Sequence, residues 1–200
     1  HRRGQSRGMV PQMPKSVKVE VVLMLYRSKF EMPNLNTFEI PSIEKLIEQY
    51  QTVEGFFDDW LQDQWIDPFA NRQHRFASIT NPDADTDFNM DALDFLKMQA
   101  TNSASVLLDP PYTLRQIKEC YDGFGVALTQ HESRHFYSDI KDEIARIVPP
   151  FGFVISCGYN SNGMGRSRGF ELVQVLLVPH GGNHHDTIVT VEKKVQTSLQ

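Results

Sequence analysis

The sequence predicts an α/β protein whose sheet is mainly parallel and ends in an antiparallel hairpin. Three observations carry this. Short apolar, β-branched runs alternate along the chain with segments of helical periodicity, the pattern of strand–crossover–strand units. The longest helical segment, from about His131 to Val148, repeats Phe136, Ile140, Ile144 and Ile147 on one face and is stopped by Pro149 and Pro150. The last two apolar runs are separated only by Pro179 to Asp186, a connection short enough for a hairpin.

Taken in order, Lys18 to Tyr26 is apolar and β-branched and reads as the first strand, with a short helix as the alternative. Met32 to Thr37, with Pro33 and Asn34, is a loop. Ser42 is the expected cap of a helix carrying Ile43, Leu46, Ile47 and Tyr50 at helical spacing. Phe56 to Gln62 adds at most one more turn. Gln64 to Phe69 and Arg75 to Thr80 read as strands, the first ending in Asp67-Pro68-Phe69-Ala70-Asn71 and the second near Asn81-Pro82. Asp91 is the N-cap expected of a helix to Met98. Ala104 to Leu108 is a buried strand, followed by Asp109-Pro110-Pro111-Tyr112 and a helical pattern from Leu114 to Tyr121. Gly152 to Cys157, Val173 to Val178 and Thr187 to Lys193 complete the strands, the last reversed.

Two hundred residues suffice for one domain with a buried core, here residues 18–200, and 40% hydrophobic with 22% charged residues is ordinary for a soluble protein. His1 to Lys15 is rich in Arg, Gly, Ser, Gln and Pro, so residues 1–17 read as a disordered arm or a cloning remnant. Twenty Lys and Arg against 25 Asp and Glu give a net charge of −5, so nucleic-acid binding would need a local basic patch. The longest apolar run, Val19 to Tyr26, is too short to span a bilayer, and no secretory signal is evident. Cys120 and Cys157 read as two reduced thiols of a cytoplasmic protein packed in its core.

The most informative segment is Asp109 to Tyr112. A carboxylate, two prolines and an aromatic ring follow a buried strand, at the end of the sheet where open α/β proteins place their ligands. Together they offer an acceptor, a fixed backbone with free carbonyls and a flat stacking surface, groups suited to a planar ring carrying an exocyclic amine.

These residues, in this order, resemble amino-group methyltransferases that use S-adenosylmethionine, above all the DNA adenine-N6 enzymes. Asp67-Pro68-Phe69-Ala70 resembles their first cofactor motif, Asp91-Ala92-Leu93 the acidic turn at the adenine end of the cofactor, and Asp109-Pro110-Pro111-Tyr112 the catalytic motif. Thr37 to Pro41, with Phe38, resembles the segment against the methionine part. Gly158 to Gly165 and His180 to Asp186 resemble small phage-encoded members. The resemblance covers about residues 36–195 and implies a Rossmann-like sheet, S-adenosylmethionine as cofactor, a nucleic-acid partner that is DNA in preference to RNA, and the host cytoplasm as location. No separate target-recognition domain is evident, which implies weak specificity, a homodimer or a partner protein. The first motif departs from the family at Asn71-Arg72-Gln73-His74, where glycines are usual, and Asn81, Asp83 and Asp85 are the candidates for the ribose contact.

The mechanism implied needs neither metal nor covalent intermediate. Asp109 and the Pro110 carbonyl would accept the amine's hydrogens and draw its lone pair out of the ring, Tyr112 would stack on the extruded base, and the nitrogen would attack the sulfonium methyl in line. Tyr159, Asn160, Arg166 and Arg168, in and after the Gly/Asn loop, are the expected substrate contacts, or else an ordinary surface loop. His180, His184, His185 and Asp186 have the look of metal ligands, but a hydrogen-bonded turn or a nucleic-acid contact is the reading preferred for a hairpin loop, and no metal is expected. Two rivals stand beside the DNA reading: base-amine methylation of RNA, and a non-catalytic binding protein that kept the fold.

Overall fold

The computed structural model describes residues 23–34, 36–52, 64–70, 78–79, 86–123, 130–182 and 184–195. The arm at 1–17, the first part of the first expected strand, the turn at 56–62, the glycine-poor stretch 71–74 and Asn81, Asp83 and Asp85 lie outside them.

Seven described strands form one sheet: β1 (Met24–Arg27), β2 (Trp65–Asp67), β3 (Ser78–Ile79), β4 (Ser105–Leu108), β5 (Phe153–Gly158), β6 (Phe170–Val178) and β7 (Thr187–Lys194). Their order is β1-β6-β7-β5-β4-β2-β3. Among them every pairing is parallel except those of β7 with β5 and β6, so of these strands β7 alone runs backwards. The Rossmann-like, mainly parallel sheet with a C-terminal hairpin is therefore the fold.

Helix α1 (Pro41–Gln51) covers one face, and α2 (Ala92–Met98), α3 (Leu114–Gly123) and α4 (Gln130–Ile147) serve the other. The pleat divides the core accordingly. Leu107, Ile155, Cys157, Val189 and Val191 face α1. Val106, Leu108 and Val154 face α2 and α4, where Phe95, Leu96, Ile140 and Ile144 are almost wholly buried.

Asp91 caps α2 as expected, its Oδ1 accepting from the Leu93 and Asp94 amides at 2.8 and 3.2 Å. The start of α1 is a correction. Its N-cap is Ile40, which supplies no side-chain bond, Pro41 opens the helix, and Ser42 lies inside. The exposed amide is met from outside: the Glu31 carboxylate accepts from both the Ser42 amide and hydroxyl at 3.1 Å. A second correction concerns Cys120, which is exposed on α3, whereas Cys157 is buried as expected. Among the described residues no helix is long and apolar enough to cross a membrane.

Candidate functional site

Strand order places the site. From β2 the chain moves outward to β3, then returns through α2 to β4 on the opposite side of β2, and on to β5. The order reverses between β2 and β4, and the crevice beyond their carboxyl ends is where open α/β sheets bind ligands. Asp67 ends β2 and Asp109 follows β4, so two carboxylates straddle that point.

The two differ in surroundings. Asp67 is 1% exposed, and its Oδ1 accepts from the Phe69 amide at 2.9 Å, which closes a turn holding Pro68 and Ala70 buried. Phe69 packs on Phe136 of α4, ring centroids 6.0 Å apart. Asp109 accepts from the hydroxyls of Tyr112 and Thr37. Burial raises its pKa to about 6 against the lowering effect of those two bonds, and the charge of Asp67 raises it further. Burial and the neighbouring Asp109 charge also push the Tyr112 phenol up, and burial does the same to the Cys157 thiol.

Local sequence makes the Asp109–Tyr112 turn rigid. Thr113 and Gln116 form a capping box at the start of α3: Thr113 Oγ1 accepts from the Gln116 amide at 3.1 Å, and Gln116 Oε1 accepts from the Thr113 and Tyr112 amides at 3.0 and 2.9 Å. The Tyr137 hydroxyl donates to the Pro111 carbonyl at 2.5 Å.

On the α4 face of this turn lies a cavity of about 300 Å³, lined by Leu108, Pro110, Tyr112, Tyr137, Lys141, Ser156, Thr190 and the loop from Gly158 to Gly163. Tyr112 and Tyr159 stand at its mouth with ring centroids 4.6 Å apart and planes 59° from parallel. The same two rings border a second cavity of about 270 Å³ on the α1 side, together with Thr37, Ile40, His180, His184 and His185.

Glu192 of β7 ties the Gly158–Gly165 loop down. Its carboxylate accepts from the Met164 and Gly165 amides, the latter at 2.9 Å, while Lys141 Nζ donates to the Gly163 carbonyl. Burial lowers the Lys141 pKa. Gly163 has φ +36°, and a Cβ there would displace the Glu192 carboxylate from these bonds, so glycine is favoured.

The structure thus gathers Asp67, Asp109, Pro110, Tyr112, Tyr159 and Asn160 around one end of the sheet, and puts other residues of interest elsewhere. Phe38 is 4% exposed in the core under α1, and it is Thr37 beside it that reaches Asp109. The Asp91 carboxylate is engaged by its own helix and by the Tyr121 hydroxyl, and Ala92 is buried in the core. Arg166 is exposed outside the cavity, and Arg168 pairs with Asp142 of α4 at 2.6 Å. His180 is a hydrogen-bonded turn residue, its ring nitrogens 2.8 Å from the Glu31 carbonyl and 2.9 Å from Thr187 Oγ1. Among the described residues no group of three His, Cys, Asp or Glu could hold a metal.

No protein-family model and no curated protein matches this sequence. Solved structures with a similar chain path exist. TrmN from Thermus thermophilus is 16% identical with a TM-score of 0.47, over 78% of this chain and 49% of that one. YhhF from Escherichia coli, assigned as a methyltransferase, is 12% identical with a TM-score of 0.45, over 78% and 86%. A second Thermus thermophilus protein, assigned as a DNA modification methylase, is 13% identical with a TM-score of 0.36, over 56% and 54%. This chain spans about half the length of TrmN.

Proposed function

We propose that this chain is an S-adenosylmethionine-dependent methyltransferase acting on an exocyclic amine of a nucleobase, adenine N6 in DNA. The observation that carries the reading is the acidic crevice at the β2–β4 reversal, next to a rigid Pro110–Tyr112 turn that opens on an aromatic-lined cavity.

The crevice suits a cationic cofactor. The pKa of Asp109 is raised first by burial and only lastly by the Asp67 charge, and a positively charged sulfur beside the Asp109 carboxylate would offset both effects. S-adenosylmethionine supplies, when bound, a methyl group activated by such a sulfur. Asp67 with the Pro68–Ala70 turn would hold it, while Asp91, Ala92 and Phe38 would shape the walls rather than bond to it.

At neutral pH a carboxyl group with a pKa of about 6 is mostly ionised and is an acceptor. A carboxylate has about four lone-pair positions, so Asp109 can keep its bonds from Tyr112 and Thr37 and still take an amine N–H. The Pro110 carbonyl would take the second. The amine's lone pair is then drawn out of the ring and made nucleophilic, with the acceptors fixed beforehand by the capping box and Tyr137. Tyr112 and Tyr159 offer stacking surface to a base that has left its helix. The proton is lost afterwards to water, so no strong base is needed.

Calorimetry with S-adenosylmethionine is the first test. No heat and no thermal shift at millimolar cofactor would sink the enzyme reading and leave a binding protein. If it binds, methyl transfer to unmodified DNA and to RNA of the same sequence assigns the target, and transfer to RNA alone would move it.

A further inference from the structure

Two hydroxyls in the α4-side cavity stand without a hydrogen-bond partner among the described residues. Ser156 and Thr190 face each other across the β5–β7 ladder and are 8% and 1% exposed. Both residues line the cavity, and both side-chain oxygens are unpaired. The third such atom among the described residues, Asn36 Nδ2, lies outside this cavity. Buried polar atoms are nearly always paired, and an unpaired one costs stability. Valine at 190 and alanine at 156 would avoid that cost. Two orphan hydroxyls side by side on one cavity wall therefore point to a ligand.

The rest of the wall says what kind. Pro110 and Tyr112 border the cavity on the β4 side, Tyr159 overhangs it, and Lys141 is occupied in holding the Gly163 carbonyl. A cavity of about 300 Å³ is at the lower end of small-molecule sites, room for one ring system. Among the described residues no other cation lines it to attract a phosphate. Its polar groups are instead the backbone of Pro110, which offers only an acceptor, Asn160 and Asn162 of the loop, and the hydroxyls of Ser156 and Thr190. An amine beside an unprotonated ring nitrogen is the complement of that order, as in adenine and cytosine.

We propose that Ser156 and Thr190 form a specificity-determining pair that donates hydrogen bonds to the ring-nitrogen edge of an amine-bearing base seated against Tyr112 and Tyr159. The inference rests on the nucleobase reading above and names the residues that select the base. 1-Deazaadenine, which keeps the amine but carries C–H where adenine carries a bare ring nitrogen, would be disfavoured, since a hydroxyl has nothing to donate to there.

The test uses the whole chain and two single-stranded oligodeoxythymidines, one with a central adenine and one with 1-deazaadenine in its place, which keeps the amine and lacks only the ring nitrogen beside it. Fluorescence anisotropy is expected to show wild type preferring adenine by about tenfold, and Ser156→Ala/Thr190→Val losing that preference. The same variant should melt at or above the wild-type temperature, since it removes unpaired buried groups; a merely structural pair would lower it. Wild type without preference for adenine, a variant that keeps it, or a lowered melting temperature would each overturn the proposal. Methyl transfer to the adenine oligonucleotide is measured separately. Adenine preference without transfer sinks the enzyme reading and upholds the pair, whereas transfer with an unchanged variant does the reverse.

Discussion

Asp67 and Asp109 are the same residue type at the ends of neighbouring parallel strands, and their surroundings give them different work. Asp67 turns inward on its own backbone, its Oδ1 closing the turn to Phe69. Asp109 is met by the side chains of Thr37, from a distant part of the chain, and Tyr112, and its carboxyl group is pushed up to about 6. A carboxylate that closes its own loop builds the turn that would hold the cofactor; one held by others at a cost is available for chemistry.

The strongest way to break this contrast is Asp109→Ala. It is expected to lower methyl transfer by roughly 10²–10³-fold or more, the cost of losing one preorganised electrostatic contact, while calorimetry finds cofactor affinity nearly unchanged. Retained transfer would refute the role given to Asp109.

Asp109→Asn separates charge from shape. A carboxyl group whose pKa rises from 3.8 to about 6 on folding binds its proton more tightly in the folded state. Its stabilising contribution is present below the unfolded value and is lost as pH rises through about 6. The difference corresponds to about 3 kcal/mol as an upper figure. Thermal unfolding should therefore show the Asn variant more stable than wild type at pH 7 and no more stable at pH 4. Transfer by wild type should fall as pH drops below about 6, because the protonated group no longer accepts on both oxygens.

Asp67 should behave differently. Asp67→Ala leaves the Phe69 amide without its acceptor and should cost about 1 kcal/mol in urea unfolding, whereas Asp67→Asn keeps an oxygen there and should cost less. The smallest effect expected is on Asp109 itself: removing the Asp67 charge should move the acid edge of the transfer profile down by less than about one pH unit. An unmoved edge would mean that the two carboxylates do not sense each other.

The pieces of this site that were legible in the sequence are the local ones. Asp-Pro-Pro-Tyr after an apolar run reads as a strand-end turn, and Asp91 before a helical pattern as a cap, since each depends on residues a few positions apart, although Ser42, read by the same rule, lies inside α1. Contacts made across the chain were not legible. Glu31 capping α1 through Ser42, Thr37 reaching Asp109 and Glu192 pinning the loop at Gly163 all join segments that no local pattern relates. One signal was available. Ser156, Thr190 and Glu192 alternate with Ile155, Cys157, Val189 and Val191, and polar residues at every second place in buried strands mark a face that is not wholly apolar. Arg166 and Arg168, expected as substrate contacts from their place after a polar loop, lie outside the cavity, Arg166 exposed and Arg168 paired with Asp142.

The wall formed by Tyr112 and Tyr159 belongs to both cavities at once. An occupant on the α1 side and another on the α4 side would press on the same two rings. Any help or hindrance the first gives the second must be returned in equal measure, because binding free energies around a closed cycle sum to zero. The order in which two ligands arrive would then leave the final affinities untouched and show only in the rates.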